Sequence, residues 1–294
     1  MRTPGSTTLM PYLLVAPALV VLAIAVLYPI GFNVYASLHQ WNLLDSDLPT
    51  RFNGLSTYGD VLSDPRFANS LRVTLLMTLF AVGFEFFVGL GLALIVNEDI
   101  WARRFFRTVL VAPIMATPLV VALVFRLMWH GEFGVINYYL SYLGIPPITW
   151  LAGPYTAFFA IFITEVWHNT AFVFLVLLGA MQMLPREPYE AAIVEGATYW
   201  QRLRFITLPL LRSAILVALL FRTVFVIRMF DEVWVLTRGG PNQATETVSI
   251  MLFKSAFETF DVSEAGAISV ILLLVTAGLA LILIRFVYGK EKSE

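Results

Sequence analysis

Six long apolar runs limit what this chain can fold into. They cover residues 11–37, 71–96, 108–129, 155–183, 210–236 and 266–288. Crossing a hydrocarbon layer as a helix takes about 20 apolar residues, and backbone in lipid must satisfy its own polar groups. The runs therefore predict an all-α, polytopic bundle of six transmembrane helices, forming one transmembrane domain over residues 1–294. Composition agrees: 59% of the residues are hydrophobic and 13% charged, where a soluble domain carries about 25% charge. The first run is too long for a signal-peptide core and reads as a retained span. Pro17 and Pro29 in the first run, and Pro113 and Pro118 in the third, are tolerable where neighbouring helices satisfy the freed carbonyls. Gly83, Gly89 and Gly91 give the second run a small-residue face suited to close helix packing.

Six spans put both termini on one side, and charge selects the side. Arg2, Arg103, Arg104, Arg107, Arg186, Arg202, Arg204, Arg212, Arg285, Lys290 and Lys292 fall on one face, whereas the other has Arg51, Arg66, Arg72, Arg238 and Lys254. The termini and the segment 185–209 are therefore expected in the cytoplasm. The outer segments run over 39–70, 130–154 and 237–265, the second of them with aromatics of interfacial type, Trp129, Trp150 and Tyr155. The sequence has no cysteine, three scattered histidines (His39, His130, His168) and no GxxxxGK[ST] loop. That excludes thiol chemistry and Cys-ligated metal, offers no metal-ligand spacing, and leaves ATP hydrolysis by a phosphate loop to some other chain. No bound cofactor, metal or nucleic-acid partner is expected, and no paired nucleophile and base supports an enzyme.

Ionisable residues at membrane depth are expensive and face a bundle interior or a watery cavity. Here they are Glu85, Arg126, Glu165, His168, Arg222, Arg228, Asp231 and Glu232. Spans four and five hold most of them, beside Trp167, Asn169, Thr170 and Trp234. Planar donors and acceptors with an aromatic platform suit a sugar site, which makes Trp167, Asn169, Arg228, Asp231 and Trp234 the candidate pathway residues. The alternative is structural pairing, of Glu85 with an arginine and of Arg228 with Asp231 or Glu232.

Between spans four and five lies a polar, basic island, Glu190 to Pro209, reading EAAIVEGATYWQRLRFITLP. Pro185 and Pro188 precede it, and proline suits a first helical turn. Good helix formers follow from Tyr189, Gly196 allows a bend, and Pro209 is expected to end the second, aromatic piece. A short helix, a bend and a second short helix at a membrane face form a docking knob.

This stretch resembles the EAA loop of permease subunits of binding-protein-dependent ABC importers. Glu190-Ala191-Ala192, Gly196, Ile206, Leu208 and Pro209 match that family's pattern at every spacing. Phe230-Asp231, Val235 to Pro241 and Ala244 to Thr247 are similar to its carbohydrate-uptake branch, on the side of maltose, trehalose and glycerol-3-phosphate importers. Glu195 replaces the more usual aspartate before the glycine. Ser213 stands where many relatives have proline, so the start of span five is less kinked. The resemblance implies a bacterial inner-membrane permease for a di- or oligosaccharide. It would form half of a pathway with a second, usually different, permease subunit. Two ATPase subunits carry ATP and magnesium, and an extracytoplasmic solute-binding protein delivers substrate. It also implies that Glu190, Ala191, Ala192, Gly196 and Ala197 form the coupling helix and its bend. Glycerol-3-phosphate is the alternative solute, and an intramembrane enzyme acting on a lipid-linked sugar is the alternative class. The identity of the sugar stays open, and so does which permease subunit contacts it.

Overall fold

The computed structural model describes residues 10–98 and 101–288; Arg2, Lys290 and Lys292 of the charge argument lie outside them. The chain divides into two compact units. One comprises residues up to Asp64 together with Leu252–Leu273, and the other Pro65–Met251 and the chain from Leu274 onward.

In the first unit, α1 (Met10–Ser37) runs through Pro17 and Pro29 without a break. A two-residue strand pair, β1 (His39–Gln40) and β2 (Arg51–Phe52), and the short α2 (Ser56–Ser63) follow it. Helix α14 (Val262–Tyr288) begins beside them, and Ser263 ties its start to the strands. Its Oγ donates to the His39 carbonyl at 2.6 Å and accepts the Trp41 N–H at 2.6 Å. Gly266 permits the crossing with α1: a Cβ there would lie 3.0 Å from the Asn33 carbonyl oxygen.

The second unit is built on α3 (Pro65–Asn97), α7 (Pro154–Met181) and α11 (Arg212–Ile227). α3 starts at Pro65, not residue 71, because proline suits the first helical turn. Gly89 lets α3 lie directly on α7, since a Cβ there would sit 2.9 Å from Val173 Cβ and 3.1 Å from the Phe174 nitrogen. Gly83 and Gly91 have open space instead, so the expected three-glycine face reduces to one contact.

The stretch 108–129, expected as one span, is two helices, α4 (Arg103–Val111) and α5 (Pro118–Met128). A single 3-10 turn (Ala112–Met115) extends α4, and the two arms are bent by 97°. Pro118 forces Thr117 out of helical geometry (ψ 146°), and Ala116 is extended too (ψ 149°). Among the described residues, five helices are long and apolar enough to cross a membrane, and the bent pair makes a sixth crossing if it counts as one span.

Helix α6 (Val135–Tyr142) lies in the 130–154 segment. Asn137 organises this loop: its amide donates to the Gly131 and Ile148 carbonyls at 2.7 and 2.9 Å, and its oxygen accepts Trp150 Nε1–H at 2.9 Å. Trp129 is not an interfacial aromatic. It is 4% exposed, and its indole N–H donates to Thr164 Oγ1 at 3.1 Å. Tyr155 does stand exposed.

Two apolar clusters fill this unit. One gathers Met77, Ala81, Phe125, Trp129, Ile161 and Val226, the other Ala93, Val96, Phe174, Leu177 and Ala218. Along α3, α7 and α11 a layer of charged side chains falls between them.

The glycine contacts give a test with opposite signs. Gly89→Ala should lower stability by about 1–3 kcal/mol through overpacking against α7. Gly91→Ala should be neutral or stabilising by about 0.5–1 kcal/mol, the usual gain over glycine inside a helix. Thermal unfolding of the two purified variants measures both, and equal effects would remove Gly89 from the helix contact.

Candidate functional site

Arg222 stands at the centre of the charged layer. It projects from α11, is 4% exposed, and spans Glu85 of α3 and Glu165 of α7. Its Nε donates to Glu85 Oε2 at 2.6 Å and its Nη2 to Glu85 Oε1 at 2.9 Å, a two-pronged pair. Nη2 also donates to Glu165 Oε1 at 2.5 Å. Both glutamates are buried. A desolvated carboxylate is costly unless paired and hydrogen-bonded, so this one guanidinium locks three helices together.

A second pair extends the layer. His168 Nε2 lies 3.1 Å from the Ala116 carbonyl, which the break between α4 and α5 leaves without a helical partner. A carbonyl only accepts, so Nε2 carries the proton. His168 Nδ1 then faces Glu232 Oε1 at 3.4 Å, an ion-pair distance without hydrogen-bond alignment. The contact attracts when the ring is an imidazolium or when Glu232 is protonated. Glu232 belongs to the short α12 (Asp231–Leu236), so His168 links the third-span break to the end of the fifth span.

The five pathway candidates flank this pair rather than join it. Trp167 and Asn169 sit on either side of His168 on α7. Trp167 is half exposed and tilts against Phe125, with ring centres 5.2 Å apart. Asn169 is half-buried and donates to the Glu165 carbonyl at 3.4 Å. Arg228 caps α11 and is exposed, as is Asp231 at the start of α12. Among the described residues Arg228 forms no ion pair with Asp231 or Glu232, so the alternative of structural pairing does not hold there. Trp234 is half-buried: Phe230 stacks on it at 5.6 Å and the Arg238 guanidinium lies 5.4 Å from its ring centre. Arg126 is exposed, and it too is no part of the buried layer. Of the expected buried groups, the structure collects Glu85, Glu165, His168, Arg222 and Glu232.

Beyond the second apolar cluster comes the stretch expected to dock. Helix α8 (Glu187–Val194) has Pro188 in its first turn and Glu187 and Glu190 at its positive end. Glu190 and Ala191 are exposed, and Ala192 and Ala197 are half-buried. Gly196 ends the helix at φ +80°, where the Ala197 N–H donates to the Ala192 carbonyl at 2.8 Å and the Gly196 N–H to that of Ile193 at 3.0 Å. That is the glycine-terminated C-cap. Thr198 then caps α9 (Tyr199–Arg202) in a reciprocal capping box with Gln201.

Pro209 does not end the second piece. A π-helical turn (Leu203–Thr207) and α10 (Leu208–Leu210) carry the chain into α11. Proline lacks the N–H that a regular helix would use here, and the wider turn absorbs it. Sequence reasoning missed the tie between the two ends of the stretch: Tyr189 Oη donates to Thr207 Oγ1 at 3.0 Å. It also missed the bidentate Arg66–Glu246 pair (2.7 and 3.2 Å), which joins α3 to the loop after α12. Neither leaves a periodic trace in the sequence.

The Arg222 layer makes a direct prediction. Arg222→Met leaves two buried carboxylates unpaired and should cost about 3–5 kcal/mol. Adding Glu85→Gln and Glu165→Gln to it should recover most of the loss. Chemical unfolding of the purified variants reads both, and a loss below about 1 kcal/mol for Arg222→Met, the scale of an exposed ion pair, would rule out the lock.

Comparison with known proteins now supplies the family. Residues 85–290 match the family described as binding-protein-dependent transport system inner membrane component. The chain is 35% identical over 274 residues to a trehalose/maltose transport system permease protein of Thermococcus litoralis, covering 93% of this chain and 92% of that one. It is 36% identical over 284 residues to a sulfoquinovosyl glycerol transport system permease protein of Agrobacterium fabrum, covering 96% and 92%. In fold it is similar to a chain of a bacterial ABC transporter that imports the acidic polysaccharide alginate, with a TM-score of 0.80 at 20% identity over 97% and 96% of the two chains. These relatives are transport subunits, which sets aside the alternative of an intramembrane enzyme. An apolar helical bundle, a charged layer locked by Arg222 and an exposed helix–glycine–helix thus belong here to an inner-membrane component of a binding-protein-dependent transport system.

Proposed function

We propose that this chain is one permease subunit of an ATP-driven sugar importer, with residues 1–294 acting as a single transmembrane domain. The observation that carries the reading is the exposed Glu187–Arg202 stretch: a helix, a left-handed glycine and a second capped helix, held at the end of the bundle by Tyr189. A separate ATPase subunit, bringing ATP and magnesium, docks on it. Glu190 orients the α8 helix, Ala191 and Ala192 allow close contact in an ATPase groove, and Gly196 with Ala197 forms the bend. The termini and this stretch face the cytoplasm, in line with the excess of arginine there. A second permease subunit completes the pathway, and an extracytoplasmic binding protein delivers the solute. The permeases for trehalose/maltose and sulfoquinovosyl glycerol among the relatives favour a di- or oligosaccharide or glycoside over glycerol-3-phosphate.

ATP binding closes the ATPase pair, displaces α8 as a rigid body, and shifts the pathway between two states. Trp167, Asn169, Arg228, Asp231 and Trp234 line the pathway on this side. The half-exposed Trp167 ring offers a stacking face, and the exposed Arg228 and Asp231 offer hydrogen bonds to hydroxyls.

Two outcomes test the reading in the reconstituted complex. Gly196→Asp places a side chain where φ is +80° and nothing lies within 4 Å inside the chain. The backbone strain costs about 1–2 kcal/mol locally, so the protein should still reach the membrane while ATP hydrolysis no longer drives uptake. Normal sugar uptake by Gly196→Asp would exclude α8 as the lever. Arg228→Ala and Trp167→Ala should each weaken the stimulation of ATPase activity by sugar-loaded binding protein about 5–10-fold, the loss of one hydrogen bond or stacking contact. An unchanged response in both would take them out of the pathway.

A further inference from the structure

Behind the docking stretch, between the ends of α3 and α7 and the start of α4, lies a cavity of about 1180 Å³. Four arginines line it: Arg103, Arg107, Arg186 and Arg202, against the glutamates Glu98 and Glu190. Arg103 and Arg107 are one helical turn apart on α4 and face the same way. The Nε atoms of Arg107 and Arg202 are buried, and among the described residues they have no hydrogen-bond partner. Arg107, Arg186 and Arg202 also lack a carboxylate at ion-pair distance among those residues. A buried guanidinium N–H left without an acceptor is costly. Among the described residues Glu98 and Glu190 are too few for the forks these arginines present, which leaves N–H donors for an anion from outside the chain.

The neighbouring surface indicates which anion. On α4 the side chains of Arg103 and Arg107 turn inward and are half-buried, while Phe105 (63% exposed), Phe106 and the preceding Trp101 (91% exposed) face outward. Basic residues on one face of a short helix and aromatic ones on the other mark a helix at the membrane–water boundary. At that depth the abundant anion is the lipid phosphate, whose oxygens accept paired N–H donors from arginine. Basic pockets between membrane helices hold such headgroups. We propose that this cavity binds a phosphate-bearing anion, supplied as the phosphodiester headgroup of an anionic phospholipid. Bound there, the headgroup joins α4, α9 and the residue before α8 through one set of oxygens. It braces the back of the docking stretch from the membrane side.

The test uses the full chain in phosphatidylcholine vesicles containing a minority of phosphatidylglycerol. After gentle extraction, the lipid retained by the protein is measured by mass spectrometry. Wild type should enrich phosphatidylglycerol over phosphatidylcholine about tenfold, the scale of a few charge-assisted hydrogen bonds. Arg107→Gln/Arg202→Gln should fall to the bulk ratio. Arg104→Gln/Arg204→Gln, which removes the same charge from arginines outside the cavity lining, should retain the enrichment. Equal loss in both double variants would mean general attraction of basic protein to anionic membrane, and no loss in either would empty the cavity of its role; each overturns the proposal. Should the cavity double variant fail to fold, Arg107→Lys/Arg202→Lys keeps the charge, removes the forks and should still lower the enrichment. A second arm uses phosphatidylcholine vesicles and inorganic phosphate, with an arginine-selective reagent reporting on Arg107 and Arg202. Protection by phosphatidylglycerol but not by inorganic phosphate supports the lipid. Protection by inorganic phosphate alone, to which phosphatidylglycerol adds nothing, overturns it in favour of a soluble anion. Either failure leaves the coupling role of α8 untouched.

Discussion

The second unit depends on one guanidinium. Arg222 has moved out of water into a helix bundle, and only the two glutamates it touches make that position tolerable. Each glutamate in turn is tolerable only because of Arg222. The three groups arise on α3, α7 and α11, so none of these helices can shift along its neighbour without exposing a charge to hydrocarbon. Apolar packing alone would not impose this, since leucine against lipid is nearly as well off as leucine against leucine. The two apolar clusters on either side supply close packing, while the charged layer supplies register.

Two interruptions in the helices make sense around that layer. The proline-driven break at Ala116 and Thr117 would be a liability in lipid, because it strands a carbonyl. His168 answers it from α7. The fifth span is interrupted between Ile227 and Asp231, and there the chain turns Glu232 inward to His168 while Arg228 and Asp231 stay exposed. One short irregular segment thus serves packing through its buried Glu232 while its Arg228 and Asp231 stay out of the packed layer. Irregular backbone at membrane depth is tolerated where it lies in protein or lines a watery space.

The sequence was most legible where physics acts residue by residue along one chain. Apolar run length located the long helices α1, α3, α7, α11 and α14, and the helix–glycine–helix at Glu190–Arg202 could be read from proline, alanine and glycine alone. It was less legible where the outcome depends on what lies opposite. The alternative of pairing Glu85 with an arginine is the one the packing realises, but which arginine depends on helix rotation, and sequence alone does not distinguish Arg222 from Arg126. Arg126 lies one residue after the buried Phe125, and that one step turns it outward. Gly83, Gly89 and Gly91 look alike in sequence, yet only Gly89 meets a neighbour. Pro118 suggested a kink, but an extended residue pair with a 97° bend goes further than a kink. Trp129 suggested an interface, and the Thr164 hydroxyl that drew its N–H inward lies 35 residues away.

The stretch after Gly196 and the charged layer are joined by nearly continuous helical backbone. After Gly196 the next glycine is Gly239, and from Tyr199 to Ile227 the backbone stays helical in type except for the turn at Leu211. Leu211 is itself buried in the second apolar cluster. The π-helical turn at Leu203–Thr207 accommodates Pro209 without a loop, and the Tyr189–Thr207 hydrogen bond fastens α8 to it. Arg222 lies ten residues into α11, about 15 Å along the axis at the helical rise. A displacement of α8 passes the Gly196 bend through the Tyr189–Thr207 hydrogen bond and from there meets helical backbone up to α11, broken only at the buried Leu211. There it meets a bidentate ion pair in a close-packed layer, which can hold or re-form but does not stretch by degrees. In the proposed function, that lets α8 select between discrete arrangements of the bundle.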